Sequence, residues 1–255
     1  MARPIRRSGN LPTEATSFIG RRHELAELRT KLAAARLVSL VGPGGVGKTR
    51  LAMRAATDLA RGFRDGAWLV ELADVRDSAL VSNAVLAALD LRNQTSTAPL
   101  DLLLAYLRDK ELLLVVDNCE HLLKAAALLV TEIVRAAPGV RVIATSREPL
   151  SLTDEHVLPI SPLELPPVHA TESLDQVRHN DAVSLFTERA AAASGTFALT
   201  ASNQAAVVDL CRRLDGLPLA IELAAVRTRV LAVEQIRDRL TDRFALLTGG
   251  SRAAL

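Results

Sequence analysis

Residues 42–49 read GPGGVGKT, in which glycines, a lysine and a threonine have the spacing G-x-x-x-x-G-K-[ST]. In such a loop the glycines let backbone N–H groups turn toward a phosphate, Lys48 contacts β- and γ-phosphate oxygens, and the Thr49 hydroxyl ligates Mg²⁺. The apolar run LVSLV precedes the loop and a segment of helical period follows it. This context predicts a phosphate-binding loop, and the alternative is a glycine-rich turn with an incidental lysine. The predicted phosphate contacts are Gly42, Gly44, Gly45, Val46, Gly47, Lys48, Thr49 and Arg50.

A carboxylate suited to the metal follows a second apolar run. The segment LLLVVDNCEH, residues 112–121, places Asp117 after five apolar residues. By itself, an aspartate at a strand end is usually a helix cap or a turn residue. A phosphate-binding loop needs an acid on a neighbouring strand to hold its metal, so the pair predicts a Mg²⁺ site formed by Asp117 and Thr49.

A cation follows a third apolar run. The segment VRVIATSREP, residues 140–149, ends its apolar part in Thr145, Ser146 and Arg147. Ligands of open α/β sheets bind beyond the carboxyl ends of the strands, which makes the Arg147 guanidinium a candidate sensor of the γ-phosphate. The alternative is a surface arginine that merely follows a strand.

These residues need a sheet to bring them together, and the chain has the pattern for one. Continuous apolar runs alternate with segments of helical period, as a parallel sheet covered on both faces requires. The runs lie at 37–41, 67–72, 112–116, 140–145 and 156–160, and the helical segments at 20–35, 49–61, 78–89, 99–109 and 121–136. The first part is therefore predicted to be an α/β domain.

The composition changes at 159–180, where prolines and polar residues disfavour both ladder and helix. Only helical patterns follow, which predicts a small helical bundle. The helical patterns lie at 181–193, 202–214, 218–231 and 233–240. The expected organisation is a disordered arm at 1–16, an α/β domain at 17–160, a linker at 161–180, a helical domain at 181–245 and the start of a continuation at 246–255.

The bulk composition excludes several classes of protein function. With 49% hydrophobic residues among 255 the chain can form a core, but only 3% are aromatic, which leaves few platforms for stacking bases. The net charge is +2, and the arginine-rich first ten residues are expected to be a disordered arm, with phosphate or nucleic-acid contact as the alternative. Cys119 and Cys211 lack metal-ligand spacing. With no signal peptide or membrane span recognised, a cytoplasmic location is expected.

Five segments in order resemble the STAND class of signal-transduction ATPases, and in particular the nucleotide-binding domains of bacterial AfsR- and LuxR-type transcriptional regulators, relatives of NB-ARC domains. They are SFIGRRHEL, GPGGVGKT, LLLVVDNCEH, ATSREP and GLPLAIELAA. The resemblance implies a five-stranded parallel P-loop NTPase sheet of order 5-1-4-3-2 flanked by helices, an ARC1-like helical lid, and ATP or ADP bound with Mg²⁺.

The resemblance also assigns residues outside the phosphate loop. The segment before the loop, Phe18, Ile19, Gly20 and Arg21, is implied to lie against adenine and ribose. Pro218 in GLPLA is implied to close over the base. The residues alone indicate only a loop that enters a helix with proline in its first turn.

The sequence departs from the pattern of many P-loop hydrolases at Asn118. An acid at that position orients or deprotonates the attacking water, whereas an amide orients water but accepts no proton at neutral pH. Slow hydrolysis is therefore expected, with Lys48, Asp117, Asn118 and Arg147 as the residues around the reacting phosphate. Glu120 is the nearest other carboxylate, and either acts on water or caps the next helix.

The resemblance implies an ATP/ADP switch that hydrolyses ATP slowly at most, self-associates in the ATP state, and meets DNA only through a domain outside this chain. Two alternatives stay open. One is an efficient P-loop ATPase or a small-molecule kinase, which requires an acceptor pocket that the sequence does not indicate. The other is a nucleic-acid-binding ATPase, which the near-neutral charge and scarce aromatic residues disfavour.

Overall fold

The computed structural model describes residues 9–91, 97–167 and 173–240. These residues form two compact units: the first contains the residues up to Gly44 and Lys48–Ile160, and the second contains Gly45–Gly47 and the residues from Ser161 on. Residues 1–8 of the expected arm and the expected continuation at 246–255 lie outside the described residues. No helix in the described ranges is long and apolar enough to cross a membrane.

The first unit contains one parallel sheet of five strands. Its order is β2-β3-β4-β1-β5, which read from the other edge is 5-1-4-3-2, and this confirms the predicted topology. The strands are β1 (Leu37–Val41), β2 (Ala67–Glu71), β3 (Leu113–Asp117), β4 (Arg141–Ser146) and β5 (Glu155–Pro159). Because β3 lies inside the sheet with both faces covered, all five of its residues are buried.

Helices cover both faces of this sheet. Leu114 and Val116 of β3 belong to a cluster with residues of three helices, while another helix packs against β1 to β4. Successive side chains of a strand point to opposite faces, so the continuous apolar run in β3 is what two covered faces demand. The helices are α1 (Arg22–Ala34), α2 (Lys48–Leu59), α3 (Val81–Ala88), α4 (Pro99–Leu107) and α5 (Leu123–Ala136); α2 packs on the strands and α3 to α5 form the cluster.

The segment before α1 contradicts part of the expected disordered arm. Gly9 forms a parallel bridge with Ala67, and the Asn10 side chain donates to the Leu69 carbonyl at 2.8 Å and accepts from the Leu69 N–H at 2.6 Å. An edge strand such as β2 exposes backbone groups that need partners, and the Asn10 amide supplies them. Gly9 is required for this approach, since a Cβ there would lie 2.2 Å from the Ala67 carbonyl oxygen.

The second unit is helical in the residues described. Helix α7 packs against α9 and α8, and α8 packs against α10. Phe186 of α7 is fully buried and meets Phe197 edge to face, with ring centroids 5.6 Å apart. The helices are α6 (Leu174–Arg178), α7 (Asp181–Ser194), α8 (Gln204–Arg213), α9 (Pro218–Val226) and α10 (Val233–Arg239).

Helix α6 corrects the expectation that residues 161–180 contain no helix. The Ser173 hydroxyl accepts from the Gln176 N–H, and the Gln176 side chain accepts from the Ser173 N–H. This reciprocal capping box satisfies two free backbone donors and starts a helix of only five residues. The S-x-x-Q spacing is a local helix signal that a reading based on the prolines misses.

The turn between α5 and β4 generates a test of packing. A Cβ at Gly139 would lie 2.4 Å from the Lys110 carbonyl oxygen, so Gly139→Ala must displace backbone. We expect a loss of about 1–3 kcal/mol in the free energy of unfolding. Urea titration followed by the fluorescence of Trp68, the single tryptophan, reports on this unit. Gly62→Ala is the control, because a Cβ there meets no atom within 4 Å; equal midpoints for the two variants would contradict the packing argument.

Candidate functional site

The glycine-rich loop joins β1 to α2, and Lys48 begins the helix. Gly45 and Gly47 have φ angles of 75° and 94°, a region that glycine adopts without steric cost. The Lys48 ammonium donates to the carbonyl oxygens of Gly42 at 2.9 Å and Pro43 at 3.0 Å. The side chain thus lies over the loop it belongs to, with its charge held by loop carbonyls.

The electrostatic surroundings of Lys48 combine burial with charges of both signs. Burial lowers the pKa of Lys48 below its usual value. The Glu120 carboxylate opposes this shift, the Arg147 guanidinium adds to it, and Asp117 opposes it more weakly than Glu120 does. Four charged side chains that are distant in sequence therefore act on one another around the loop.

Asp117 is the centre of a hydroxyl network at the carboxyl edge of the sheet. Its Oδ1 accepts from the Thr49 hydroxyl at 2.7 Å and from the Thr145 hydroxyl at 2.5 Å. The Thr145 oxygen in turn accepts from the Asn118 backbone N–H at 3.1 Å. The network joins the first turn of α2 to the ends of β3 and β4, and both Asp117 and Thr145 are buried.

Thr145 was not among the predicted site residues. In the sequence it reads as a β-branched residue at the end of a buried strand, a position where packing alone accounts for threonine. The signal lies in the topology: β3 and β4 are parallel neighbours with Val116 paired to Ala144, so the next residues, Asp117 and Thr145, come side by side. A hydroxyl beside a buried carboxylate supplies the hydrogen bond that burial requires.

The oxygens around Asp117 suit Mg²⁺. A carboxylate and a hydroxyl are hard oxygen ligands, and Mg²⁺ is commonly held by one or two protein oxygens while it keeps its remaining positions for water and phosphate. Thr49 and Asp117 are in direct contact, so a single ion can meet both. In the described residues no group of three or more histidine, cysteine, aspartate and glutamate side chains offers a separate metal cage.

Arg147 lies next to the loop. A Cβ built on Gly44 would be 3.4 Å from an Arg147 guanidinium nitrogen. The Arg147 Nε is 3.3 Å from Glu120 Oε1, and the Arg147 side chain is 65% exposed whereas that of Glu120 is 25% exposed. The guanidinium is thus held by one carboxylate at the rim of the loop.

The backbone changes direction at Asn118. This residue has φ 60° and ψ 53°, a left-handed conformation that asparagine adopts more readily than most residues, and a 3-10 turn at Cys119–Leu122 follows it. Burial, reinforced by Asp117 and Glu120, raises the pKa of the Cys119 thiol to about 12. Burial also raises the pKa of Cys211 to about 12. Both thiols are protonated at neutral pH and act as apolar side chains.

The segment predicted to lie against adenine and ribose, Phe18 to Arg21, follows residues that are fastened to α2. Arg50 donates to the Thr16 carbonyl at 3.0 Å, the Thr16 hydroxyl at 2.7 Å and the Ser17 carbonyl at 2.5 Å. One turn later, Arg54 pairs with Glu14 at 3.0 Å and lies over the Phe18 ring, 5.9 Å from its centroid. The side chain of Arg50 therefore contacts the preceding segment.

The last residues of that segment form the entry to α1. Ile19 is half-buried, and Gly20 and Arg21 have φ angles of 69° and 60°. Arg21 is buried and donates to Glu24 at 2.6 Å. The positive φ angles turn the chain sharply where the segment meets α1.

Pro218 is the first residue of α9 in the second unit. Proline fits there because a first-turn N–H has no partner within the helix. Asp215 and Gly216 before it have φ angles of 54° and 66°, and the Gly216 carbonyl accepts from the Leu163 N–H at 3.0 Å. GLPLA thus has the structure that its residues alone indicate, a tight loop into a proline-started helix.

An all-parallel sheet of this order, with a glycine-rich loop after β1 and an acid at the end of β3, defines the P-loop NTPase fold. A family model described as an AAA domain matches residues 31–143. Among solved structures, a Walker-type ATPase of Pyrococcus abyssi is similar, with a TM-score of 0.59 and 14% identity over 91% of this chain and 74% of that one. A STAND protein with a tetratricopeptide repeat sensor from Pyrococcus horikoshii has a TM-score of 0.53 and 16% identity, over 94% of this chain and 34% of that one.

The chain also has relatives of similar sequence. An uncharacterized protein of Mycobacterium tuberculosis is 40% identical over 94% of this chain and 58% of its own length. A proposed HTH-type transcriptional regulator of the same organism is 41% identical over 89% of this chain and 24% of its length. The regulatory protein AfsR of Streptomyces griseus is 27% identical over 91% of this chain and 23% of its length. The chain thus spans little more than half of the first relative and about a quarter of the two regulators.

The hydroxyl network can be tested at Thr145. Thr145→Val keeps the shape of the side chain but removes a donor from Asp117 and an acceptor from the Asn118 N–H. We expect a loss of about 1–3 kcal/mol in the free energy of unfolding, because buried polar groups lose their partners. Thr145→Ser, which keeps the hydroxyl, should lose less in the same urea titration. A valine variant as stable as the wild type would refute the structural role of the hydroxyl.

The fastening of residues 14–18 can be tested at Arg50. Arg50→Ala removes the three hydrogen bonds to Thr16 and Ser17, and amide hydrogen exchange within 14–18 should accelerate by about tenfold. Arg61→Ala, at an exposed arginine just after the same helix, is the control and should leave that exchange unchanged. Unaltered exchange in the Arg50 variant would show that other contacts hold the segment.

Proposed function

We propose that this chain is an ATP/ADP-binding switch domain of a STAND-type signalling or transcriptional regulator, with slow ATP hydrolysis at most. The observation that carries the proposal is the contact between the first turn of α2 and the end of β3, where Thr49 and Asp117 meet beside Lys48. A site with a phosphate-binding loop, a lysine and a magnesium-binding oxygen pair is built for a nucleoside triphosphate with its metal.

The proposed roles follow from the chemistry of each side chain. Lys48 exchanges its two loop carbonyls for phosphate oxygens, and the loop from Gly42 to Gly47 offers backbone N–H groups to the same phosphates. Thr49 and Asp117 hold Mg²⁺, which neutralises phosphate charge when it is bound. Arg147, at the rim of the loop beside Gly44, is proposed to distinguish ATP from ADP through the γ-phosphate.

Adenine recognition is proposed for Phe18 to Arg21, directly after the residues that Arg50 fastens to α2. Arg50 follows the phosphate loop on that helix, and Arg54 lies over the Phe18 ring, so the start of this segment is held to the helix that begins at the phosphate site. The resemblance to STAND proteins adds Pro218 of the second unit as the contact that closes over the base. On this proposal, the exchange of ADP for ATP alters how the helical unit engages the nucleotide.

The wider role is proposed from the relatives. Two of them are named as regulators and both are far longer than this chain, so DNA binding is assigned to parts of a full-length protein outside the 255 residues. A similar solved structure is a STAND protein that carries a repeat sensor. Association with further copies in the ATP state is proposed on the same basis, with the cytoplasm as its location.

Slow turnover is proposed because the residue after Asp117 is an asparagine. An amide accepts no proton from water at neutral pH. The usual position of a water-activating acid therefore holds a residue that can orient the attacking water but cannot deprotonate it. Steady-state hydrolysis of tens of phosphates per second would reject the switch and favour an efficient ATPase or a kinase.

Removal of the Lys48 charge tests the nucleotide site. Lys48→Ala should weaken ATP and ADP binding by about 10- to 100-fold, because each charge-assisted hydrogen bond to phosphate contributes a few kcal/mol at most. Isothermal titration of the full chain with each nucleotide and Mg²⁺ measures this. Lys124→Ala, at an exposed lysine of α5, is the matched control and should bind as the wild type does. Undiminished affinity in the Lys48 variant would contradict the assignment of the phosphate site.

A further inference from the structure

Glu120 presents a carboxylate whose two oxygens have different surroundings. Its Oε1 is 3.3 Å from Arg147 Nε. Its Oε2 is buried and receives no hydrogen bond from any group in the described ranges. A buried carboxylate oxygen without a donor costs stability, and proteins retain such groups mainly where they act on something else. The ion pair with Arg147 accounts for one oxygen of Glu120 and leaves the other unexplained.

The carboxylate of Glu120 lies near the glycine-rich loop through its partner. Arg147, whose Nε is 3.3 Å from Glu120 Oε1, lies beside Gly44 of the loop, where a Cβ would be 3.4 Å from its guanidinium. These contacts bring the carboxylate to the side of the loop where the γ-phosphate is proposed to bind.

The fold also explains why position 120, and not 118, brings a side chain to this place. The Asn118 backbone N–H is bound to Thr145, and the left-handed turn at Asn118 starts the 3-10 turn that contains Glu120. The turn is held on its other side by His121, whose Nε2 is 2.9 Å from the Val75 carbonyl oxygen. Glu120 thus projects from a short segment anchored at both ends, which suits a group that must hold a fixed position.

We propose that Glu120 orients the water that attacks the γ-phosphate and accepts its proton, and that Arg147 positions Glu120 for this role. This inference rests on the proposed binding of ATP. The water oxygen forms a bond to the γ-phosphorus as the bond from that phosphorus to the β–γ bridging oxygen breaks. The bridging oxygen keeps the electron pair and leaves as part of ADP. The proton from water passes to Glu120 Oε2 and then to solvent, so the products are ADP, inorganic phosphate and a proton.

Arg147 can hold Glu120 and contact the γ-phosphate at the same time. Its Nε is the atom 3.3 Å from Glu120 Oε1, while a terminal guanidinium nitrogen is the atom nearest to Gly44 of the loop. A guanidinium has five N–H donors, so the ion pair positions the carboxylate while the terminal nitrogens remain for phosphate oxygens.

Glu120→Gln is the direct test, because the amide keeps the shape and loses the ability to accept a proton. We expect single-turnover hydrolysis of bound ATP to fall by about 100-fold or more, the usual contribution of a general base. The dissociation constants for ATP and ADP with Mg²⁺ should change by less than about threefold, within the range of a peripheral substitution. The nucleotide bound to the purified full chain should shift from ADP to ATP, a readout that is independent of the rate assay. Glu120→Asp should restore part of the activity.

Glu148→Gln is the matched control, since Glu148 is an exposed acid directly after Arg147 and should hydrolyse ATP at the wild-type rate. Wild-type hydrolysis in Glu120→Gln, or no detectable hydrolysis by a wild type that binds ATP, would overturn the role of Glu120 and leave the proposed switch intact. Loss of ADP binding in Glu120→Gln would show a structural role and also overturn the inference. Failure of the wild type to bind either nucleotide would reject the proposed function and, with it, this inference.

Discussion

One carboxylate oxygen of Asp117 accepts hydrogen bonds from two hydroxyl groups, and the rest of the site depends on this interaction. Thr49 comes from the first turn of α2, Asp117 from the end of β3 and Thr145 from the end of β4. A buried carboxylate requires donors, and here they come from elements that the sheet order makes neighbours. The interaction thus sets the distance between the glycine-rich loop and the carboxyl edge of the sheet, where every other charged group of the site lies.

Two further contacts extend this arrangement to residues that precede the sheet. The Asn10 side chain forms hydrogen bonds with the backbone N–H and C=O of Leu69 in the edge strand β2. Arg50 donates hydrogen bonds to the carbonyl oxygens of Thr16 and Ser17 before α1. Both contacts satisfy polar backbone groups that would otherwise depend on water. The chain before α1 is therefore fixed at two places, to the edge strand β2 and to α2, the helix that begins at the phosphate loop.

Much of the fold was predictable because its signals are local. Each strand of the sheet is a short, mostly apolar run, and the long helices have a clear period or a proline at the start, as α4 and α9 do. The errors also have local causes. The capping box of α6 is a two-residue signal within a proline-rich stretch, and residues 9–16 carry no periodicity because contacts of Asn10, Arg50 and Arg54, rather than an apolar pattern, fasten them.

The chemistry expected at the site follows from the sequence, since the spacing of GPGGVGKT and of an aspartate after an apolar run predicts a phosphate loop and a metal-binding acid. Which groups accompany them depends on the folded arrangement of the strands. Thr145 reads as an ordinary strand residue until β4 pairs with β3, and the contact of Glu120 with Arg147 beside the loop appears only in the folded chain. The reason is physical: hydrogen bonds and Coulomb interactions depend on distance in space, and a parallel sheet brings the ends of strands together irrespective of their separation along the chain.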